Sequence, residues 1–147
     1  MKLTLASALI AGVAAFPAFA GVHATGDAEA GEKAFRQCKA CHAVVDADGN
    51  DIMKGGKTGP NLFGVPGRTA GTLEDFKYKK SIVEAGEGGL VWDEASFVAY
   101  VQDPTAYLKE VTGDSKARSG MSFKVRKEED AVNLWAYIAS VSPEPES

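Results

Sequence analysis

The clearest helical periodicity lies near the C-terminal end of the chain. Ala131, Leu134, Trp135, Ile138 and Val141 recur at three- and four-residue spacing over 128–141, which places them on one buried face of a helix. Near the other end, Asp27 is positioned to cap a helix over 28–37. Gly31 lies inside that helix, where glycine costs about 1 kcal/mol relative to alanine. A glycine retained at that cost implies a second helix backbone passing close by, so the first and last helices are expected to cross.

Between them the pattern is broken into short pieces. A helix is predicted over 78–85, stopped by Gly86. Asp93 caps a run through Gln102 that ends before Asp103-Pro104, and Pro104 opens a further short helix closed by Gly113. The stretch Lys54-Gly55-Gly56-Lys57-Thr58-Gly59-Pro60-Asn61 is loop, because its glycines and proline defeat both helix and strand. No convincing alternating strand is present. The expected fold is all-α, one domain of short helices joined by long glycine-rich loops. Loops as long as 43–72 are uncommon in a compact domain without a functional reason. So little regular core would be completed by a large bound hydrophobic group.

The first twenty residues read differently. Lys2 is followed by an uncharged apolar run over 3–19, and Pro17-Ala18-Phe19-Ala20 supplies an A-x-A cleavage pattern. Residues 1–20 are therefore expected to be a cleaved signal peptide, leaving a domain over 21–141 and a short polar tail at 142–147. Val22-His23-Ala24 is a second candidate cut site. No second apolar run follows, so no stable membrane insertion is expected after cleavage. The 147-residue chain carries a formal charge of −4, and loss of Lys2 makes the exported part more negative. With no long basic run, nucleic acid is not expected as a partner.

Export changes the meaning of the cysteines. Cys38 and Cys41 are the only two in the chain, in Cys38-Lys39-Ala40-Cys41-His42. Two thiols at this spacing should not stay free in an oxidising compartment. A thioredoxin-like redox centre requires its first cysteine at a helix N-terminus after a strand, but here Cys38 follows a helix and no βαβ pattern surrounds it. A zinc site would need a fourth ligand, and the only other histidine is His23, beside the cleavage region. The remaining reading is C-x-x-C-H as a covalent haem attachment site. Both thiols form thioethers with the porphyrin, and His42 supplies the proximal nitrogen. This reading accounts for export, cysteine count and thin core together.

A methionine sulfur paired with histidine stabilises ferrous iron. Met53 and Met121 are the candidates outside the leader. Reach does not exclude Met53, but the longer chain between His42 and Met121 is able to wrap the ring and build its opposite wall. Met121 is therefore the expected distal ligand. His23 is a minor alternative, and an open sixth position would instead imply gas or peroxide chemistry.

Several segments, in order, resemble class I c-type cytochromes: G-D-A-E-A-G-E-K-A-F-R-Q-C-K-A-C-H, T-G-P-N-L-F-G-V-P-G-R, F-K-Y, V-W-D-E, Y-V-Q-D-P, K-A-R-S-G-M-S-F-K and L-W-A-Y-I. The resemblance spans 26–141, and its long insertions are most similar to the larger bacterial members of cytochrome c2 type. It implies the class I cytochrome c fold, one haem c bound through Cys38 and Cys41, and His42 and Met121 as axial ligands. It further implies that the Pro60 carbonyl accepts from the His42 ring. Tyr78 and Trp92 are implied as donors to a haem propionate, with Arg68 as a basic residue near the propionates and Tyr100 near the methionine sulfur. One departure is Ile82, where many mitochondrial members carry asparagine.

The function so implied is a periplasmic single-haem electron carrier, monomeric and not an enzyme. Its expected donor is a quinol-oxidising cytochrome complex. Its expected acceptor is a terminal oxidase, a nitrogen-oxide reductase or a photosynthetic reaction centre. Lys39, Lys54, Lys57, Lys116, Lys124 and Lys127 are candidates for a basic face that docks transiently on acidic partners. The rivals are a haem enzyme or gas sensor with an open sixth position, and a thiol–disulfide oxidoreductase.

Overall fold

Helix α1 (Ala28–Ala34) starts where the Asp27 carboxylate accepts from the N–H of Ala30, 2.9 Å away, and it passes into a 3₁₀ turn at Phe35–Gln37. The computed structural model describes residues 23–144. The leader expected at 1–20, with its first candidate cut after Ala20, and the last three residues of the tail lie outside that span, whereas the second candidate cut site, Val22-His23-Ala24, extends into it.

α1 packs on the long C-terminal helix α5 (Glu128–Val141). The crossing point is Gly31. A β-carbon there would collide with the Asn133 carbonyl and approach the Tyr137 Cβ to 2.8 Å. The same seam is tied by the N–H of Asp27, which donates to Asn133 Oδ1 at 2.8 Å. Behind it, Phe35 and Tyr137 meet edge to face at 5.6 Å, and Trp135, Leu134 and Ile138 are almost fully buried. The Trp135 indole N–H donates to the His23 carbonyl, which fixes the chain just ahead of α1.

Three shorter helices complete the frame: α2 (Lys80–Glu87), α3 (Glu94–Gln102) and α4 (Pro104–Thr112). Asp93 and Ser96 form a reciprocal capping box at the start of α3, and Gly113 closes α4 in the left-handed conformation. α3 packs on both α4 and α5, placing Phe97 against Trp135 at 5.4 Å.

Two expectations are corrected. α2 does not end at Gly86 but runs through it to Glu87, with Gly88 as its cap. Gly86 is used for close approach: a β-carbon there would strike the Ala70 carbonyl of the neighbouring loop. The chain also contains strand. β1 (Val44–Val45) pairs antiparallel with β2 (Asp51–Met53) in a small irregular hairpin. Its turn is built by Asp46 Oδ1, which accepts from the N–H groups of Asp48 and Asn50. Apart from that hairpin and an isolated antiparallel bridge between Thr69 and Val91, the described residues form helices and long loops.

Candidate functional site

The Cys38–His42 segment is a tight continuation of the 3₁₀ turn. The N–H groups of Cys41 and His42 both donate to the Cys38 carbonyl, at 3.1 and 2.9 Å. The glycine-rich loop is latched onto this turn from outside: Gly56 N–H donates to the Lys39 carbonyl and Gly59 N–H to the Cys41 carbonyl, each at 2.8 Å. Cys38 is half-buried, Cys41 is exposed, and no disulfide joins them. Burial, with a smaller contribution from Cys41, pushes the Cys38 thiol up to about 11. A thiol–disulfide nucleophile needs the opposite shift, which a helix N-terminus or nearby cation supplies. Cys38 instead follows the C-terminal end of a helical segment.

The His42 ring stands against Gly59, where a β-carbon would lie 2.7 Å from Nδ1. Nδ1 is 2.8 Å from the Pro60 carbonyl oxygen. A carbonyl only accepts, so the proton is on Nδ1 and the lone pair is on Nε2. Burial lowers the imidazole pKa and outweighs the opposing Pro60 contact, which favours the neutral ring.

This turn forms one side of a cavity of about 420 Å³. Cys38, Cys41, His42, Pro60, Arg68, Tyr78, Trp92, Tyr100 and Met121 all line it. Its remaining walls are largely apolar and include Phe35, Leu62, Val65, Ile82, Phe97 and Leu134. Every residue proposed from the sequence for the site therefore reaches one space. The rejected alternatives lie elsewhere. Met53 belongs to β2 opposite Val44, and His23 borders a separate open groove near Trp135.

The polar residues have defined partners. Arg68 donates to the carbonyls of Phe63 and Asn61, both at 3.2 Å, bracing the chain just after Pro60. Tyr78 packs edge to face on Phe76 at 4.8 Å; its phenol is raised by burial and pulled back by Arg68. Trp92 meets the Tyr100 ring at 5.1 Å, and the Tyr100 hydroxyl lies 2.9 Å from Ser119 Oγ.

Comparison with known proteins gives a family. A scan against protein-family models finds no match. The chain is 55% identical over 138 residues to cytochrome c2 of Cereibacter sphaeroides, across 92% of this chain and 95% of that one. It is 52% identical to cytochrome c2 of Rhodobacter capsulatus, across 96% and 98% of the two chains. A crystal structure of cytochrome c2 from Rhodobacter sphaeroides superposes with a TM-score of 0.79 at 58% identity, covering 82% of this chain and 99% of that one. The chain belongs to the class I c-type cytochromes, in the cytochrome c2 group.

Cytochromes c2 are electron-transfer proteins and not enzymes, and their family carries a covalently attached haem c. The residues present fit such a group. Two thiols and an imidazole with a free Nε2 lone pair occupy one turn, a thioether lines the same cavity, and the walls between are apolar with Arg68 and Tyr78 among them.

Sequence reasoning missed several residues of this c2-type site. Asn61 uses both ends of its amide: Oδ1 accepts from Val45 N–H at 2.9 Å and Nδ2 donates to the Val45 carbonyl at 2.7 Å. Lys77, Lys79 and the 45%-exposed Phe123 line the cavity, whereas none of the six lysines chosen from the sequence does. Of those six, Lys124 is paired with Asp103 at 2.6 Å and Lys54 lies 4.0 Å from Asp51. Ser119 carried no signal except its place two residues before Met121.

Proposed function

We propose that this protein is a periplasmic electron shuttle carrying one haem c, tethered through thioethers at Cys38 and Cys41. The observation that carries the reading is the convergence of the Cys38–His42 turn and Met121 on one apolar cavity, with the His42 Nδ1 proton committed to Pro60. His42 Nε2 and the Met121 sulfur would be the protein groups that hold the iron. When bound, the haem supplies a single iron that takes up and releases one electron.

The protein's own groups supply the remainder of the function. The Pro60 carbonyl orients the imidazole and increases its basicity. Phe35, Leu62, Val65 and Leu134 exclude water. Arg68, Tyr78 and Trp92 would face the anionic edge of a porphyrin, and Tyr100 would stand on the Met121 side. With His42 and Met121 both serving as ligands, no coordination site would be offered to a substrate.

The chain shares its group with relatives that act as redox shuttles to membrane complexes. A quinol-oxidising complex as donor, and an oxidase, reductase or photosynthetic reaction centre as acceptor, accord with that role, as do monomeric diffusion and export by the leader at 1–20. Docking would use exposed lysines, Lys77 and Lys79 at the cavity together with Lys39, Lys57, Lys116 and Lys127. Their charge would steer encounter in a salt-dependent way.

The test is a visible spectrum of the haem-loaded protein in both oxidation states. A sharp low-spin ferrous α band with a ferric sulfur-to-iron band is expected, and the latter should vanish in Met121→Leu but survive in Met53→Leu. Ready binding of carbon monoxide by the unmodified protein would point to an open sixth position and defeat the proposal.

A further inference from the structure

The chain ahead of α1 is strapped down. Gly26 lies directly on the α5 backbone, where a β-carbon would strike the Val132 carbonyl. Thr25 gives both of its donors to one carboxylate: its N–H reaches Glu94 Oε2 at 2.7 Å and its hydroxyl reaches Glu94 Oε1 at 2.6 Å. The His23 carbonyl accepts from the indole N–H of the buried Trp135 at 3.0 Å. These contacts fix residues 23–26 across the start of α3 and the middle of α5. They also bring the chain to an open groove of about 850 Å³, which His23 and Thr25 themselves line.

The groove combines an apolar floor with negative charge. Val91, Val98, Ala99 and Val132 line it together with the rings of Trp92 and Trp135, and Val91 is 45% exposed. Its charged lining is Asp93, Glu94 and Glu128, with no lysine or arginine among the described residues. Asp93 is committed to the cap of α3 and Glu94 to Thr25. The Glu128 carboxylate has no hydrogen-bond or ion-pair partner among the described residues. Trp92 also lines the cavity that Met121 borders, so an occupant of the groove would back a wall of the functional site. A fitting occupant is short, apolar and positively charged at one end. Cleavage after Ala20 produces one: Gly21 and Val22 remain ahead of His23, and the cut turns the Gly21 amide nitrogen into an α-ammonium. Two residues span about 7 Å when extended, which keeps that charge close to the groove.

We propose that the groove seats the chain's own processed N-terminus, with Val22 on the apolar floor and the Gly21 ammonium paired with Glu128. The proposal rests on the reading that the leader is removed after Ala20. A cut after Ala24 would remove His23 and leave the buried Trp135 indole without its acceptor. The uncut chain has an amide at Gly21 and can form no ion pair there, so removal of the leader completes the fold beside Trp92. The titratable groups lining the groove are His23 on the arm, Asp93 and Glu94 at the start of α3, and Glu128 on α5. The three carboxylates favour the charged amine and raise its pKa. The stabilisation is therefore present below the amine's ordinary value of about 8 and is lost as the pH rises through the folded value.

The test uses the haem-loaded protein purified after export, with its N-terminus read by mass spectrometry. A start at Gly21 is expected; a start at Thr25, or a retained leader, overturns the proposal together with the cleavage reading. In isotopically labelled protein, the Gly21 α-carbon followed by NMR against pH should report an amine titrating about half a pH unit above its ordinary value. Glu128→Gln should return it to that value, whereas Glu129→Gln, which alters a carboxylate outside the groove lining, should leave it raised. Methyl cross-relaxation should connect Val22 with Val98 or Val132. If the chain starts at Gly21 but its amine titrates at the ordinary value, or stays raised in Glu128→Gln, the proposal is overturned while the cleavage reading stands. Absence of any Val22 contact with the groove overturns it equally. None of these readouts involves the iron ligands, so the electron-shuttle reading stands or falls separately.

Discussion

Nδ1 of His42 lies 2.8 Å from the Pro60 carbonyl oxygen, and Gly59 presses on the same ring with no side chain. The two contacts act together, one fixing the proton and the other leaving room for the imidazole plane. Gly59 does not have positive φ, so alanine there meets a steric problem and not a backbone one. Its β-carbon would come within 2.7 Å of Nδ1 and 2.8 Å of Nε2. Gly59→Ala is expected to cost about 1–3 kcal/mol of stability by overpacking and to change the midpoint potential by tilting the ring. Guanidinium unfolding of the haem-loaded protein and a redox titration check both. Unaltered values in the two measurements would refute the steric reading.

The elements legible in the sequence were those whose cause is local. The α5 stripe, the Asp27 and Asp93 caps and the opening of α4 at Pro104 each depend on residues a few positions apart, and each lies where the pattern placed it. Gly31 was legible for a different reason, since its only plausible cause was a crossing backbone. Gly86 carried the same signal, but at the end of a short apolar run a stop signal and a close-contact glycine look alike. The β1–β2 hairpin is too short for alternation to register. Asn61 and Ser119 act through partners distant in sequence, Val45 and Tyr100, so nothing beside them in the chain marks their roles. The same holds for Lys77 and Lys79, whose importance comes from the cavity that they border.

At the helix crossing, propensity and packing make opposite predictions. Alanine at position 31 should gain about 1 kcal/mol in an isolated helix. Its β-carbon would run into the Asn133 carbonyl, which is backbone and cannot swing away. Overpacking of that kind costs about 1–3 kcal/mol, and separating α1 from α5 would also weaken the Asp27–Asn133 hydrogen bond. Gly31→Ala is therefore expected to be destabilising despite its better helix propensity. A lower denaturant midpoint with an unchanged slope is the predicted result, and a rise in the midpoint would exclude close packing as the reason for this glycine.

Asn61 ties the segment after Pro60 to β1. Asn61→Asp preserves shape and the acceptor for Val45 N–H, but turns the donor facing the Val45 carbonyl into a negatively charged acceptor. The loss should be about 1 kcal/mol, the low end of the cost of leaving a polar group without a partner, because the site is only half-buried. Hydrogen exchange provides a local check: the Val45 amide should lose protection before the amides of α5 do. Equal loss at both places would mean that Asn61 supports the whole fold and not this junction.

Asp103 joins α4 to the Met121 loop, and its contribution should depend on pH. One carboxylate oxygen takes the hydrogen bond from Lys124 at 2.6 Å, and the other accepts from Ala106 N–H at 3.1 Å. Lys124 first, then the Ala106 cap, holds this acid below its ordinary 3.8. The folded protein therefore favours the charged form more than the unfolded chain does. The stabilisation is complete above 3.8 and is lost as the pH falls through the lower folded value. Asp103→Asn retains an oxygen for the cap but cannot ionise. It should melt at a lower temperature than the unmodified protein at about pH 7, and the two curves should converge in acid. Because the pair is exposed, added salt should also narrow the gap. A gap that stays constant from neutral pH into acid would show that the ionisation of Asp103 contributes nothing to stability.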